Sequence, residues 1–290
     1  MDLTAPITVC RPAREADTPA VMELVRTIWG GHDYIPWVWA DWLKDPHGVM
    51  AVAEYGGRVA GTAKLTRAGE DQWWLEGIRV DPQLHGKGIG TRLFDYCMAI
   101  WERAYRGPIR LLTTCTRPKV HHLCDRYGLI KVGDYDNYSA PAIQGEAHAF
   151  SLFSEADFTE ILERLEVSAY REPMSDLVDV GWAWVDRDAG IIRDAFKRRA
   201  TWDWRQGKGL VITHDEEENG ENNLAISTLD VAPEDFKVFL RDFRRLAGDL
   251  GYRHLRWTPP AQTKILAGLI EAGFERQNSD TLFLYARTRH

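Results

Sequence analysis

Leu75-Glu76-Gly77-Ile78-Arg79-Val80-Asp81-Pro82-Gln83-Leu84-His85-Gly86-Lys87-Gly88-Ile89-Gly90-Thr91-Arg92-Leu93 is the stretch on which the fold turns. A strand pattern over Gln72–Val80 passes through Asp81-Pro82 into a loop with glycine at 86, 88 and 90. The loop opens a helix predicted over Thr91–Arg103. Successive main-chain N–H groups of such a loop can point into one concavity at the positive end of the helix dipole, which suits a pyrophosphate. Glycine is needed because bound oxygens approach the main chain closely and because φ turns positive there. Thr91 is placed to cap the helix or to donate its hydroxyl to a phosphate.

Upstream, Ile7–Pro12 reads as a strand. Asp17 or Thr18 caps a helix with Pro19 in its first turn and Val21, Leu24, Val25 and Ile28 at helical spacing. The tryptophan-rich segment Trp29–Leu43 reads as a second helix with an irregular start. Val49–Glu54 and Arg58–Leu65 are strands joined by a Tyr55-Gly56-Gly57 hairpin turn. Downstream come a strand over Ile109–Thr114, a helix over Val120–Tyr127 closed by Gly128, and a strand near Leu129–Tyr135. The order predicts an α/β domain of α+β type built on a mixed sheet.

Composition turns polar at Asp136–Gly145, a candidate linker that divides the chain into residues 1–140 and 146–290. The second part ends with a helix (Pro233–Leu250), a strand (His254–Thr258), a helix (Thr263–Glu271) and a strand (Thr281–Arg287). Cys124-Asp125-Arg126-Tyr127-Gly128-Leu129-Ile130 parallels Leu269-Ile270-Glu271-Ala272-Gly273-Phe274-Glu275, each after a strand and a short helix, so the chain reads as two copies of one fold. Thr228-Leu229-Asp230-Val231-Ala232-Pro233 echoes Ile78-Arg79-Val80-Asp81-Pro82, but Glu234-Asp235-Phe236 replaces the glycine loop. The second copy is therefore expected to be degenerate at the phosphate site. Trp182, Trp184, Trp202 and Trp204 add aromatic density to this copy, and Trp202-Asp203-Trp204-Arg205 reads as core packing, with a lid over the acceptor pocket as the alternative.

Bulk properties narrow the class. With 44% hydrophobic and 27% charged residues among 290, the composition is that of a soluble globular protein. Apolar runs fall short of the roughly 20 residues of a membrane span, and Met1–Pro12 has no leader pattern, so no membrane is expected and cytoplasm is the default. A net charge of −7 argues against a nucleic-acid partner. Cys10, Cys97, Cys115 and Cys124 form no CxxC pair, and nine histidines show neither HxxxH nor HExxH spacing. Reduced thiols and no metal follow as expectations.

The decisive stretch resembles motif A of the GCN5-related N-acetyltransferase (GNAT) superfamily, in which V-x-P precedes R/Q-x-x-G-x-G/A and a helix. Here His85 stands where that family carries Arg or Gln. The resemblance implies acetyl-CoA as co-substrate. Its pantetheine arm would bond the main chain at Ile78 and Val80, and its pyrophosphate would lie on His85, Gly86, Lys87, Gly88, Ile89, Gly90 and Thr91. Gly30-Gly31-His32-Asp33-Tyr34-Ile35-Pro36 and Asp41-Trp42-Leu43-Lys44-Asp45-Pro46 extend the resemblance to the histidine N-acetyltransferase-like branch, over about residues 5–135. A tandem GNAT layout is implied, with a cofactor-competent N-terminal copy.

Acetylation of an amine needs a base for the amine and a proton for the departing thiolate. Glu76, on the cofactor strand, is the candidate base, with His121 and His122 as further candidates. Aligning Leu123-Cys124-Asp125-Arg126-Tyr127-Gly128 on the family's L-Y-x-x-x-G puts Cys124 where a tyrosine acid usually stands, and Tyr127 is the candidate substitute. The acceptor is expected among Trp29, Tyr34, Trp37, Trp39 and Trp42, with Asp33 facing a small cationic amine and Arg79 holding an amino-acid carboxylate; the alternative is aromatic core packing with Asp33 capping the turn after it. The leading expectation is transfer to a small amine, an amino acid such as histidine. Acetylation of an aminoglycoside, polyamine or peptide N-terminus, and an inactive coenzyme A-binding sensor, stay open.

Overall fold

The computed structural model describes residues 6–218, 220–261 and 266–288. The N-terminal elements are β1 (Thr8–Pro12), α1 (Thr18–Val25), α2 (Ile35–Lys44), β2 (Val49–Tyr55), β3 (Arg58–Gly69), β4 (Gln72–Val80), α3 (Ile89–Ala104), β5 (Ile109–Thr114), α4 (Pro118–Arg126) and β6 (Ile130–Tyr135). Then follow β7 (Tyr138–Pro141), β8 (Phe150–Leu152), α5 (Phe158–Val167), β9 (Leu177–Asp179), β10 (Trp184–Asp186), α6 (Ala189–Lys197) and β11 (Thr201–Trp204). The remainder comprises β12 (Gly209–Glu218), β13 (Glu221–Val231), α7 (Phe236–Asp249), β14 (His254–Trp257), α8 (Leu266–Glu271), β15 (Glu275–Arg276) and β16 (Leu282–Arg287). Residues 263–265, the start of the helix expected over Thr263–Glu271, lie outside the described residues, as do Met1–Ala5.

The chain forms two compact units, residues 6–111, 118–130 and 285–288 in one and 112–117 and 131–284 in the other. Each has a mixed sheet. Among the described residues the first sheet runs β1-β2-β3-β4-β5-β16-β6 and the second β15-β7-β14-β13-β12-β11-β8. β1 to β4 pair antiparallel, and β4 pairs β5 in parallel. Two strands depart from simple chain order. The C-terminal β16 lies between β5 and β6, where Arg287 bonds Glu102 at 2.7 Å and covers the Trp101 ring at 5.2 Å.

The stretch read as a linker carries β7, and Asp136–Ala140 is buried. Its polarity comes from buried hydrogen bonding rather than exposure: Asp136 accepts from Arg276 and Thr281. Polar residues with satisfied partners can sit inside.

In the first unit α3 buries Ile89, Leu93, Phe94, Cys97, Met98 and Trp101, one apolar face at helical spacing. Ala60–Leu65 of β3 is buried throughout, between β2 and β4 in the sheet and against α3 and α1. α1 and α2 pack Val21, Val25, Ile35 and Trp39 on Met50 and Val52. In the second unit α7 buries Phe236, Phe239, Leu240, Phe243 and Leu246, and Trp184 and Trp204 are fully enclosed. The four cysteines are free thiols. Among the described residues no helix is long and apolar enough to cross a membrane.

Candidate active site

β4 supplies the site's main chain. Its register against β3 jumps from Lys64↔Glu76 to Thr62↔Arg79, so Ala63 faces both Gly77 and Ile78. This is a β-bulge, with Gly77 at φ +63°. A Cβ at Gly77 would lie 2.8 Å from the Trp42 ring, so a side chain there would displace the ring and strain the backbone. The ladder to β5 pairs Trp73 with Ile109 and Trp74 with Arg110, and goes no further. The β5-facing edge of Leu75–Val80, which includes Ile78 and Val80, thus has no strand partner among the described residues.

The strand leads through a short 3-10 turn, Pro82–Leu84, closed by Asp81 accepting from the Gln83 N–H, into the glycine loop. Gly86 and Gly88 have φ +83° and +77°, and Gly88 caps α3. Cβ atoms added at these two positions would meet nothing within 4 Å, so open space faces the loop. Arg92 is the first residue of the helix whose N–H finds a carbonyl, that of Gly88 at 3.0 Å. The N–H groups of Gly88, Ile89, Gly90 and Thr91 precede it without helical acceptors. A cleft of about 530 Å³ lies here, lined by Lys87, Gly88, Thr91, Arg92, Asp95 and Arg126 among others. Three cations beside free N–H groups and an uncrowded loop suit a phosphorylated ligand. His85, exposed in the same loop, closes the Pro82–Leu84 turn and lies ahead of the helix cap at Gly88.

Glu76 is part-buried, and loss of water pushes its carboxyl from 4.5 up to about 7. Asp45 raises it further, whereas a hydrogen bond from the Thr66 hydroxyl and the charges of Lys64 and Arg79 oppose the shift. Desolvation wins, as it does where a carboxylate has too few compensating donors. Lys64, with no exposed surface, is itself held by Asp45, which also accepts from the His47 and Gly48 N–H groups. The sequence reading missed Lys64, Asp45 and Thr66. Cross-strand register on the β3–β4 hairpin is the signal that points to Lys64 and Thr66.

Asp33 is 1% exposed and accepts from Arg79 Nε at 2.7 Å and Nη2 at 3.2 Å, and from the Ile35 N–H at 3.0 Å. The charge expected to face a cationic amine is matched inside the protein. Arg79 also donates to the Ile78 carbonyl and stacks over Trp29 at 4.1 Å and Tyr34 at 5.2 Å. It therefore ties α2 to β4. The helix expected from Trp29 starts at Ile35, because Trp29, Gly30 and Gly31 all take positive φ and turn the Trp29 ring onto Arg79. Trp29 and Trp37 remain 47% and 53% exposed, while Trp39 is buried and donates to Thr18. Tyr34 packs edge-on to Trp42, and burial pushes its hydroxyl up to about 12.

The acid candidates lie at α4. Cys124 has no exposed surface, and burial pushes its thiol up to about 12. Tyr127 stacks on Phe94 and donates its hydroxyl to Asp95, a residue of the cleft. His121 packs beside Tyr285, and His122 is exposed.

Comparison with known proteins bears on this geometry. Residues 18–128 match the acetyltransferase (GNAT) family model. Over 94 residues the chain is 31% identical to a histidine N-acetyltransferase of Oreochromis niloticus, a span covering 32% of this chain and 28% of that protein. The chain thus matches little more than a quarter of that relative's length. In fold it is similar to a GCN5-related N-acetyltransferase from Sphaerobacter thermophilus, with TM-score 0.64, 16% identity, and 97% and 95% of the two chains covered. It is also similar to a tandem GNAT protein from the clavulanic acid biosynthesis pathway, with TM-score 0.59, 13% identity, and 97% and 98% covered. The glycine loop and these likenesses converge on one assignment: the chain has the tandem GNAT fold, and its residues 18–128 match the GNAT acetyltransferase family.

Proposed function

We propose that the first unit is an acetyl-CoA-dependent N-acetyltransferase for a small amine, and that an amino acid of histidine type is its acceptor. The observation that carries this reading is Glu76, a carboxyl lifted to about 7 at the bulge of the strand that feeds the glycine loop. A base is most effective when its pKa lies near the working pH. The histidine N-acetyltransferase among the relatives motivates the acceptor class.

When bound, acetyl-CoA would supply the thioester carbonyl. The N–H groups from Gly86 to Thr91, with Lys87 and Arg92 at the cleft, would hold its pyrophosphate, His85 flanking them, and the unpaired edge at Ile78 and Val80 its pantetheine arm. Ionised Glu76 takes a proton from the acceptor ammonium, directly or through water, with Thr66 fixing the carboxylate. Trp29, Tyr34 and Trp37 offer faces to the cation, while Arg79, held by Asp33, forms the wall behind them. For the proton on the departing thiolate, Tyr127 fits better than Cys124: its hydroxyl reaches a cleft residue, whereas the Cys124 thiol is enclosed.

A thiol-release screen of purified protein with acetyl-CoA against the amino acids, polyamines and aminoglycosides tests this reading. Turnover with histidine or a near relative is expected. Coenzyme A binding without acceptor-dependent release would overturn it in favour of a sensor.

A further inference from the structure

The second unit repeats the architecture of the first closely enough for residue-level comparison. Trp74↔Arg110 across the parallel β4–β5 pair corresponds to Ala225↔Arg256 across β13–β14. Gly61↔Val80 corresponds to Gly209↔Val231 across the antiparallel hairpin. On this register Ser227 takes the place of Glu76 and His214 that of Thr66. Like β4, β13 is bulged at this point: pairing passes from Ile212↔Thr228 to Thr213↔Ile226 and leaves Ser227 over. The glycine loop is lost from this unit, yet a polar cluster has been built at the equivalent of the reactive position.

The cluster is His214 and Glu216, two apart on one face of β12, with Asp179 at the end of β9. His214 Nε2 lies 3.1 Å from Glu216 Oε1 and 4.0 Å from Asp179 Oδ1, and the three ligand atoms all fall within 4.8 Å of one another. Side-chain exposures are 2% for His214, 8% for Glu216 and 6% for Asp179. The other ring nitrogen, Nδ1, is 2.9 Å from the Ser227 hydroxyl. In this structure Nε2 donates to Glu216 Oε1; with an ion bound in place of that proton, the Ser227 contact can hold Nδ1 as the protonated nitrogen and leave the Nε2 lone pair for the metal. Asp179 is fixed by the Gly181 and Trp182 N–H groups at 3.0 and 2.9 Å.

A second observation is independent of this geometry. Glu216 Oε2 and Asn223 Oδ1 are buried and accept no hydrogen bond among the described residues. Asn223, 1% exposed, stands directly opposite Glu216 on β13 and so shares its face. Two orphaned oxygens beside a histidine and a second carboxylate are costly in a dry interior unless a cation satisfies them. Arg256 Nη1 forms an ion pair with Glu216 Oε2 at 3.6 Å, which offsets part of that cost but is too long to be a hydrogen bond, and Asn223 Oδ1 stays without a donor among the described residues.

We propose that Asp179, His214 and Glu216 form a binding site for a divalent transition ion of the zinc class in the second unit. One imidazole and two carboxylates are borderline-to-hard donors that suit zinc or its neighbours better than calcium. Tetrahedral zinc sets its ligand atoms roughly 3.3 Å apart. The His214–Glu216 spacing already meets that, and Asp179 has to close by about 0.7 Å on His214 and by at most about 1.5 Å on Glu216. The ion welds β9 to β12 and thereby steadies the second unit.

The test uses the full chain, purified without chelators, dialysed, and assayed for metal by elemental analysis. About one zinc per chain is expected, removable by chelation and replaceable by cobalt(II) with a visible ligand-field absorption. His214→Ala and the isosteric Glu216→Gln should each lower the retained metal at least about tenfold, and Ser227→Ala should weaken cobalt uptake by about the same factor. Circular dichroism of Glu216→Gln checks that the fold survives. Absence of both zinc and a cobalt band in the parent protein overturns the proposal. So does uptake that is unchanged in both ligand variants.

Discussion

Replacing Glu76 by Gln separates chemistry from stability in one substitution. The folded-state value of about 7 stands 2.5 above the ordinary 4.5, and each unit is worth about 1.4 kcal/mol, giving roughly 3 kcal/mol as an upper figure. Because the folded value is raised, the contribution of neutral Glu76 is fully present below about 4.5 and lost as pH rises through about 7. A neutral glutamine removes that loss. The variant should therefore match the parent at pH 4.5 and be more stable at pH 8.5 by about 1–3 kcal/mol, several degrees in the melting temperature of the first unit. Activity should move the other way. In the parent, kcat/KM should rise with unit slope and level off near pH 7, and in Glu76→Gln kcat should fall by roughly 10²–10⁴-fold with that limb gone. Thiol release between pH 5.5 and 9, with thermal melts at the same pH values, reads both. A variant that keeps the limb and the parent's kcat refutes Glu76 as base. A variant no more stable at pH 8.5 refutes desolvation as the cause of the shift.

Thr66→Val removes the hydrogen bond that favours the ionised carboxyl, so the same limb should shift upward by about half a unit to one unit while acetyl-CoA affinity stays put. Asp33→Ala strands the buried Arg79 charge and uncaps α2; it should destabilise the first unit by about 3–5 kcal/mol, and a change confined to acceptor KM would contradict the pairing. Gly88→Val should abolish acetyl-CoA binding by calorimetry, since its side chain enters the open space before the loop at φ +77°; the parent should bind one equivalent per chain, and two equal sites would rule out a single competent copy. Tyr127→Phe should lower kcat by about tenfold or more, whereas Cys124→Ala should leave kcat within about twofold, and the reverse pattern would reassign the acid.

Much of this was legible in the sequence because it is local. The strand, the Asp81-Pro82 turn, the three alternate glycines and the helix after them lie in one continuous stretch, where φ preference, capping and periodicity operate between near neighbours. The two-copy layout was visible for the same reason: similar local patterns recur at a similar place in each half. What the tertiary structure decided depends on residues far apart in the chain. Asp33 meets Arg79 across 46 positions, and that contact turns an apparent acceptor carboxylate into the anchor of a buried guanidinium. Glu76 owes its raised carboxyl to the packing that strips its water, which no sequence spacing encodes. The apparent linker became a buried strand, and the last strand of the chain completed the first sheet, because a sheet edge accepts any segment whose N–H and C=O groups pair with it. His214 and Glu216 do alternate on one strand, but only folding brings Asp179 to them and seals all three from water. Ligand geometry of that kind is a property of the packed interior, where desolvation and distance, rather than order along the chain, set what a side chain can do.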